Sequence, residues 1–299
     1  MVKLKVVGTT VALSASLLLA GCGGDEEASG QSNSSISEAL EYTITGIEPG
    51  AGLTGLTHDA LEDYENLEGW ELHESSTAGM VTELRQAIDN EEPIVVSGWS
   101  PHWKFAEFDI KFLEDPEGSF GGEEGIHTIA RLGLEEDMPG AYQILDAFAW
   151  EVEDMESVMH EAQDISFEEA AQNWIEENQD TVDQWTEGAE QGGGTSIALV
   201  STPWDSERAS SNVIKIVLES QGYSVTVTDV DPAVMFEALV NDGADASIAP
   251  WLPIAHGALY ENHKDNLDDL GSNLQGAKNG LAVPSYMEID SIEDLEPKE

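Results

Sequence analysis

The chain runs to 299 residues, 40% of them hydrophobic, which is enough for one large domain or for two lobes with cores of their own. Acidic residues number 60 against 11 basic ones, and the net charge of -49 repels nucleic acid phosphates and anionic membrane surfaces, so neither is expected as a partner. The acids are spread through periodic segments rather than gathered in a tail, which describes a folded acidic surface. Molar salt, with a Debye length of about 3 Å, screens its self-repulsion, so the chain is expected to work in brine.

At the N-terminus Lys3 and Lys5 precede an apolar stretch from Val6 to Ala20, and no acid occurs before Asp25. Residues 1–21 read as a secretory signal whose apolar part is short for a membrane span. It ends in Leu19-Ala20-Gly21-Cys22, which resembles the lipobox of secreted lipoproteins. Cys22 is the only cysteine and stands where lipidation would need it. Cleaved and lipidated, or kept as an uncleaved anchor, the segment implies a body outside the cytoplasm, tethered to the membrane. Residues 22–41, rich in Gly, Ser, Asp and Glu, read as a flexible tether.

Two patterned halves follow, 42–185 and 196–299, separated at 186–195 by a linker containing Gly192-Gly193-Gly194. The first half opens with a strand at Tyr42–Ile47, a helix at Thr57–Tyr64, a helix at Ala78–Asp89 and a strand at Pro93–Ser97. Phe167, Ala170, Ala171, Trp174 and Ile175 recur at helical spacing, which makes Trp174 a core residue. The second half reads as strand Ile197–Val200, helix Ser210–Gln221, strand Tyr223–Thr228, helix Pro232–Val240 and a strand at Ala246–Ile248. This alternation predicts α/β lobes with mostly parallel sheets.

Three tryptophans stand where such strands end. Ile94-Val95-Val96-Ser97-Gly98-Trp99 is followed by Ser100-Pro101-His102-Trp103. The others are Phe148-Ala149-Trp150 and Ala249-Pro250-Trp251-Leu252-Pro253, with His256 close behind. Ligands of open α/β sheets sit at strand ends, and an indole face suits a cation that has no N–H to donate. The pattern suggests a cage for a quaternary ammonium compound.

Gly46-Ile47-Glu48-Pro49-Gly50-Ala51-Gly52-Leu53, the block from Ser97 to Trp103, and Asp109-Ile110-Lys111-Phe112-Leu113-Glu114-Asp115-Pro116 resemble glycine betaine-binding proteins, the substrate-binding subunits of ABC importers for compatible solutes. Trp150 with Asp154-Met155, and Trp251-Leu252-Pro253 with His256, resemble the same family, and the likeness covers most of the chain after residue 41. It implies a two-lobe, type II periplasmic-binding-protein-like fold with the ligand in the interlobe cleft. It also implies no enzymatic activity, cofactor or metal, and partnership with a permease and its ATPase subunit. Trp99, Trp150 and Trp251 would form the cage, with Trp103 packing beside it. His102 and His256 are candidates for the ligand's carboxylate, as are Ser201 and Thr202 in the loop before Trp204. The segment from Thr195 onward resembles the half that usually comes first, which implies a circular permutation; residues from about 120 to 185 would then pack with the second lobe.

Choline- or carnitine-type receptors share the ammonium head and remain alternatives within this fold. A rival of another class is a dinucleotide enzyme, since Gly50, Gly52 and Gly55 spell G-x-G-x-x-G after a strand with Glu71 beyond. A lone match of this kind is weak, and an exported protein has little access to NAD. The adjacent acids Glu123 and Glu124 read as a solvated face.

Overall fold

The computed structural model describes residues 35–299; Cys22, the signal and most of the tether lie outside the described residues. Among the described residues no helix is long and apolar enough to cross a membrane.

A one-turn helix α1 (Ile36–Ala39) leads into β1 (Thr43–Thr45), α2 (Gly52–Asp63), β2 (Glu71–His73), α3 (Thr77–Asn90), β3 (Val96–Ser100), α4 (Lys104–Glu107) and β4 (Ile110–Phe112). Ser76 caps α3 by accepting from the Gly79 N–H, and Met80, Leu84 and Ala87 give that helix one buried stripe. Next come β5 (Glu124–Arg131) and the helices α5 (Leu134–Asp137), α6 (Pro139–Ala147), α7 (Val152–Glu161), α8 (Phe167–Glu177) and α9 (Gln179–Thr186). Trp174 lies in the core on α8, whose other buried residues are Ala170, Ala171 and Ile175. The remainder is β6 (Ser196–Ser201), α10 (Asp205–Ser220), β7 (Ser224–Asp229), α11 (Pro232–Val240), β8 (Ala246–Ser247), β9 (Trp251–Leu252), α12 (Gly257–His263) and β10 (Leu267–Pro284).

The strands run in the order β2-β1-β3-β10-β5-β8-β6-β7, with β4 on β10 and β9 on β5. Strand β10 is 18 residues long and serves both ends of this sheet. Its residues from Lys278 pair with β3 and β4, while Leu267 to Ala277 pair with β5 through three register shifts. Two lobes result. One holds β1 to β4 and the C-terminal part of β10; the other holds β5 to β9, the N-terminal part of β10 and the helices α6 to α12. Helix α10 packs on α7 and α8, so the helices of residues 139–186 belong to the same lobe as β6. The chain crosses between lobes at residues 113–123 and within β10.

The sheet is mixed where the sequence predicts mostly parallel strands. β1 with β2 and β3, and β6 with β7 and β8, are parallel. β10 runs antiparallel to β3, β4 and β5, and β5 runs antiparallel to β8 and β9. The glycine linker is tied down: Gly192 and Gly194 donate to the Gln221 and Gly222 carbonyls, and Gly193 and Gly194 have φ of 58° and 88°, where glycine is favoured.

Candidate functional site: a tryptophan-walled cleft between the lobes

A small, partly open cavity lies between the lobes. Ile47, Ala51, Gly52, Leu53 and Trp99 line it from the first lobe, and Trp204, Ser206, Glu207, Trp251, Ala255 and His256 from the second, with Asn279 of the crossing strand beside them. Each wall follows from a local feature. Trp99 occupies the end of β3, paired with Asn279 of β10. Trp251 sits on the short β9 opposite Ile126. Trp204 is the residue before α10, and its neighbours Ser206 and Glu207 are already in the first helical turn.

Carboxylates hold the indoles. The Trp251 Nε1–H donates to Glu207 at 2.6 Å, and the Trp204 Nε1–H donates across the cleft to Glu48 at 3.0 Å. A reciprocal bridge runs the other way, from the Trp103 Nε1–H in the first lobe to Asp205 in the second at 2.7 Å. Burial works to raise the Glu48 carboxyl, but hydrogen bonds from Thr77 and Trp204 outweigh it and hold the group below its usual range. Glu207 is different: burial prevails over the bonds from Ser206 and Trp251 and pushes it up to about 7.

The cavity is also lined by donors. Helix α2 begins at Gly52 and has no side-chain cap at Ala51, so the Gly52 and Leu53 N–H groups have no intrahelical acceptor. His256 accepts from the Trp251 backbone N–H through Nδ1 at 3.0 Å, which leaves its proton on Nε2 as a donor. Burial lowers this imidazole to about 4, so it is neutral at ordinary pH. An aromatic box lined by a carboxylate and by neutral or dipolar donors suits a zwitterion with a bulky cation.

Of the residues singled out from sequence, Trp99, Trp251 and His256 come together here. Trp150 does not reach the cavity: it is buried in the second lobe against Phe148 and Trp174, with ring centroids 5.6 and 5.5 Å away. Trp204 supplies the third indole instead. Its place after strand β6 is the same strand-end signal that marked the other two. Ser201 and Thr202 are buried outside the cavity, Ser201 accepting from the Ser211 hydroxyl at 2.9 Å. His102 stands behind Trp99 with ring centroids 4.5 Å apart, and its Nδ1 accepts from the Lys104 N–H. Lys104 is fully buried; its Nζ has no hydrogen-bond partner and lies 3.5 Å from the Trp99 ring centroid, yet the residue does not line the cavity. Burial drives its pKa well down.

Glu124 is also not the solvated acid that the sequence suggests. It is buried at the start of β5, where it accepts from the Ile254 and Ala255 N–H groups and the Asn279 side chain. It thereby fixes the loop that carries Ala255 and His256. Gly52 is glycine for a steric reason: a Cβ there would lie 2.2 Å from the Ala255 carbonyl oxygen, across the cleft.

Two lobes closing on an aromatic-walled cleft define a protein that captures a small solute. The chain belongs to the family described as the substrate binding domain of the ABC-type glycine betaine transport system, whose model matches residues 26–177 and 195–299. Over 294 residues it is 46% identical to the glycine betaine/carnitine transport binding protein GbuC of Listeria monocytogenes, covering 97% of this chain and 98% of that protein. Among solved structures, lactococcal OpuAC complexed with glycine betaine is 47% identical over 49% of this chain and 58% of that one, with a TM-score of 0.48. ProX, a glycine/betaine/L-proline-binding protein from Borrelia burgdorferi, is 35% identical over 52% and 62% of the two chains, with a TM-score of 0.47. Membership makes the chain the substrate-binding part of a transport system rather than an enzyme, and the glycines at 50, 52 and 55 need no dinucleotide.

Proposed function

We propose that the cleft captures glycine betaine, with the trimethylammonium group among Trp99, Trp204 and Trp251 and the carboxylate on the Gly52 and Leu53 N–H groups and the His256 Nε2–H. The observation that carries this reading is the convergence of three indoles and these donors on one cavity. A quaternary ammonium cannot donate a hydrogen bond, so ring faces, at about 2 kcal/mol for each desolvated contact, are its natural partners. Choline fits the cage but leaves the donors of α2 and His256 unpaired, which penalises it.

The closed lobes then present the solute to a permease driven by an ATPase subunit, outside the cytoplasm, with Cys22 as the lipid anchor. A circular permutation of the family's commoner order, with the glycine linker joining the former ends, belongs to the same proposal. Calorimetric titration of the protein lacking residues 1–22, in molar salt, tests the ligand assignment. Tight binding of glycine betaine with weak binding of choline is expected. The reverse preference would overturn the carboxylate site, and no binding of either by a folded sample would overturn the cage. Carnitine, titrated alongside, reads how much additional chain the cavity tolerates.

A further inference from the structure

Glu207 is a carboxylate with no cationic partner. It is buried, it lines the cavity, and it accepts from the Trp251 Nε1–H at 2.6 Å and the Ser206 hydroxyl at 2.7 Å. Among the described residues no lysine, arginine or histidine lies within ion-pair distance of it. The charged groups around it offer no compensation. Asp205, on its own helix, is a like charge and is occupied by Trp103. From the segment after β9, His256 is neutral and has its Nδ1 committed to the Trp251 N–H. Glu48 of the first lobe is another acid, held by Thr77 and Trp204. Lys104 of α4 faces Trp99, and burial drives its pKa well down against the opposing pull of Asp205. On the helices packed against α10, Glu156 of α7 bonds the His102 backbone, and Glu168 of α8 meets Lys215 at 3.7 Å.

A buried carboxylate without a counter-ion is costly to ionise unless a cation arrives. The quaternary ammonium placed among the three indoles would be that cation. We propose that ionised Glu207 is the counter-charge of the bound ammonium group, which makes capture specific for a cationic head and coupled to release of a proton. This rests on the betaine reading of the cleft and extends it to what the site demands of the ligand's charge. The bond to Trp251 acts in the same direction, because an indole that donates its N–H to an anion carries more electron density over its face. Burial pushes the carboxyl up to about 7, so the coupling falls in an accessible pH range. The ligand binds the ionised form, and affinity therefore rises with pH until Glu207 is ionised without help. Below that point it drops by up to about tenfold per pH unit.

The test compares glycine betaine with 3,3-dimethylbutanoate, its carbon isostere with the same carboxylate and no positive charge. Titrations run from pH 5.5 to 8.5 on the wild-type chain and on Glu207→Gln, which keeps an acceptor for Trp251. Betaine affinity of the wild type should rise with pH up to about neutrality. Titrations near pH 7 in buffers of different ionisation heat should also count a released proton. Glu207→Gln should bind betaine at least tenfold more weakly, without that pH dependence, while 3,3-dimethylbutanoate is unaffected or gains. Pure positioning of Trp251 would predict equal losses for both ligands, and that result would overturn the proposal. So would a wild type whose betaine affinity is flat with pH and releases no proton, a measurement independent of whether the variant folds. Failure of the wild type to bind betaine at any pH would remove this proposal together with the betaine reading, whereas tight but pH-independent binding removes this proposal alone.

Discussion

Replacing Trp251 with alanine removes one wall of the cage and at the same time strips Glu207 of the indole donor that holds it. A lost cation–π face of about 2 kcal/mol, together with the lost apolar contact, corresponds to roughly a 100-fold weaker complex with a quaternary ammonium. Trp150→Ala provides the contrast. Its ring fills the core between Phe148 and Trp174, and truncating a buried tryptophan costs about 3–5 kcal/mol of stability. Chemical denaturation and calorimetric titration of the two variants should therefore separate cleanly, Trp251→Ala losing affinity and Trp150→Ala losing stability with its affinity retained. A 100-fold loss of affinity in Trp150→Ala would return that residue to the cage. Both residues follow a strand-like run in sequence, and only tertiary packing distinguishes a tryptophan facing a cleft from one facing a helical layer.

At the scale of elements, closure is decided where α2 and α10 begin. Gly52 lies opposite the Ala255 carbonyl, and a methyl group there would meet it at 2.2 Å, so Gly52→Ala should fold but fail to close. Its melting temperature in the absence of ligand should stay near that of the wild type, while betaine affinity falls at least tenfold and X-ray scattering in excess ligand shows no compaction. Normal compaction with normal affinity would show that the lobes can meet without this contact. Both helices start earlier than apolar periodicity predicts: α2 at Gly52 rather than Thr57, and α10 at Asp205 rather than Ser210. The reason is physical. Asp205, Ser206 and Glu207 are polar residues in the first turn, serving Trp103, the cavity and Trp251, so no hydrophobic stripe marks them. For the same reason the sequence reveals Trp99, Trp251 and His256 but not Glu207 or Glu124, since among so many acids a buried one looks like all the rest. The strand β10 escapes notice because Gly271 and Gly276 interrupt its pattern where it shifts register before passing from one lobe to the other.

At the scale of the whole molecule, nearly all of the chain's net charge of -49 lies on two lobes that meet at the cleft. Each lobe repels the other as the cleft shuts, and the cost depends on how far that field reaches: about 10 Å at 0.1 M salt and about 3 Å at 1 M. A betaine zwitterion has no net charge, so salt changes its own attraction to the surface little. What salt changes is the closing step and the cohesion of the fold. The bridges Trp204–Glu48 and Trp103–Asp205 span the two lobes and give neutral indole donors to acids, so they do not offset long-range repulsion. Lowering salt from molar to 0.1 M should therefore depress the melting temperature and also weaken betaine binding, through a slower on-rate or a faster release. Thermal melts and stopped-flow tryptophan fluorescence across that range, in potassium chloride, measure both. Affinity that holds constant while the melting temperature falls would place the repulsion within each lobe rather than between them. Constancy of both would mean that the acidic surface costs this fold nothing between 0.1 M and molar salt, and would remove the expectation that the chain needs brine.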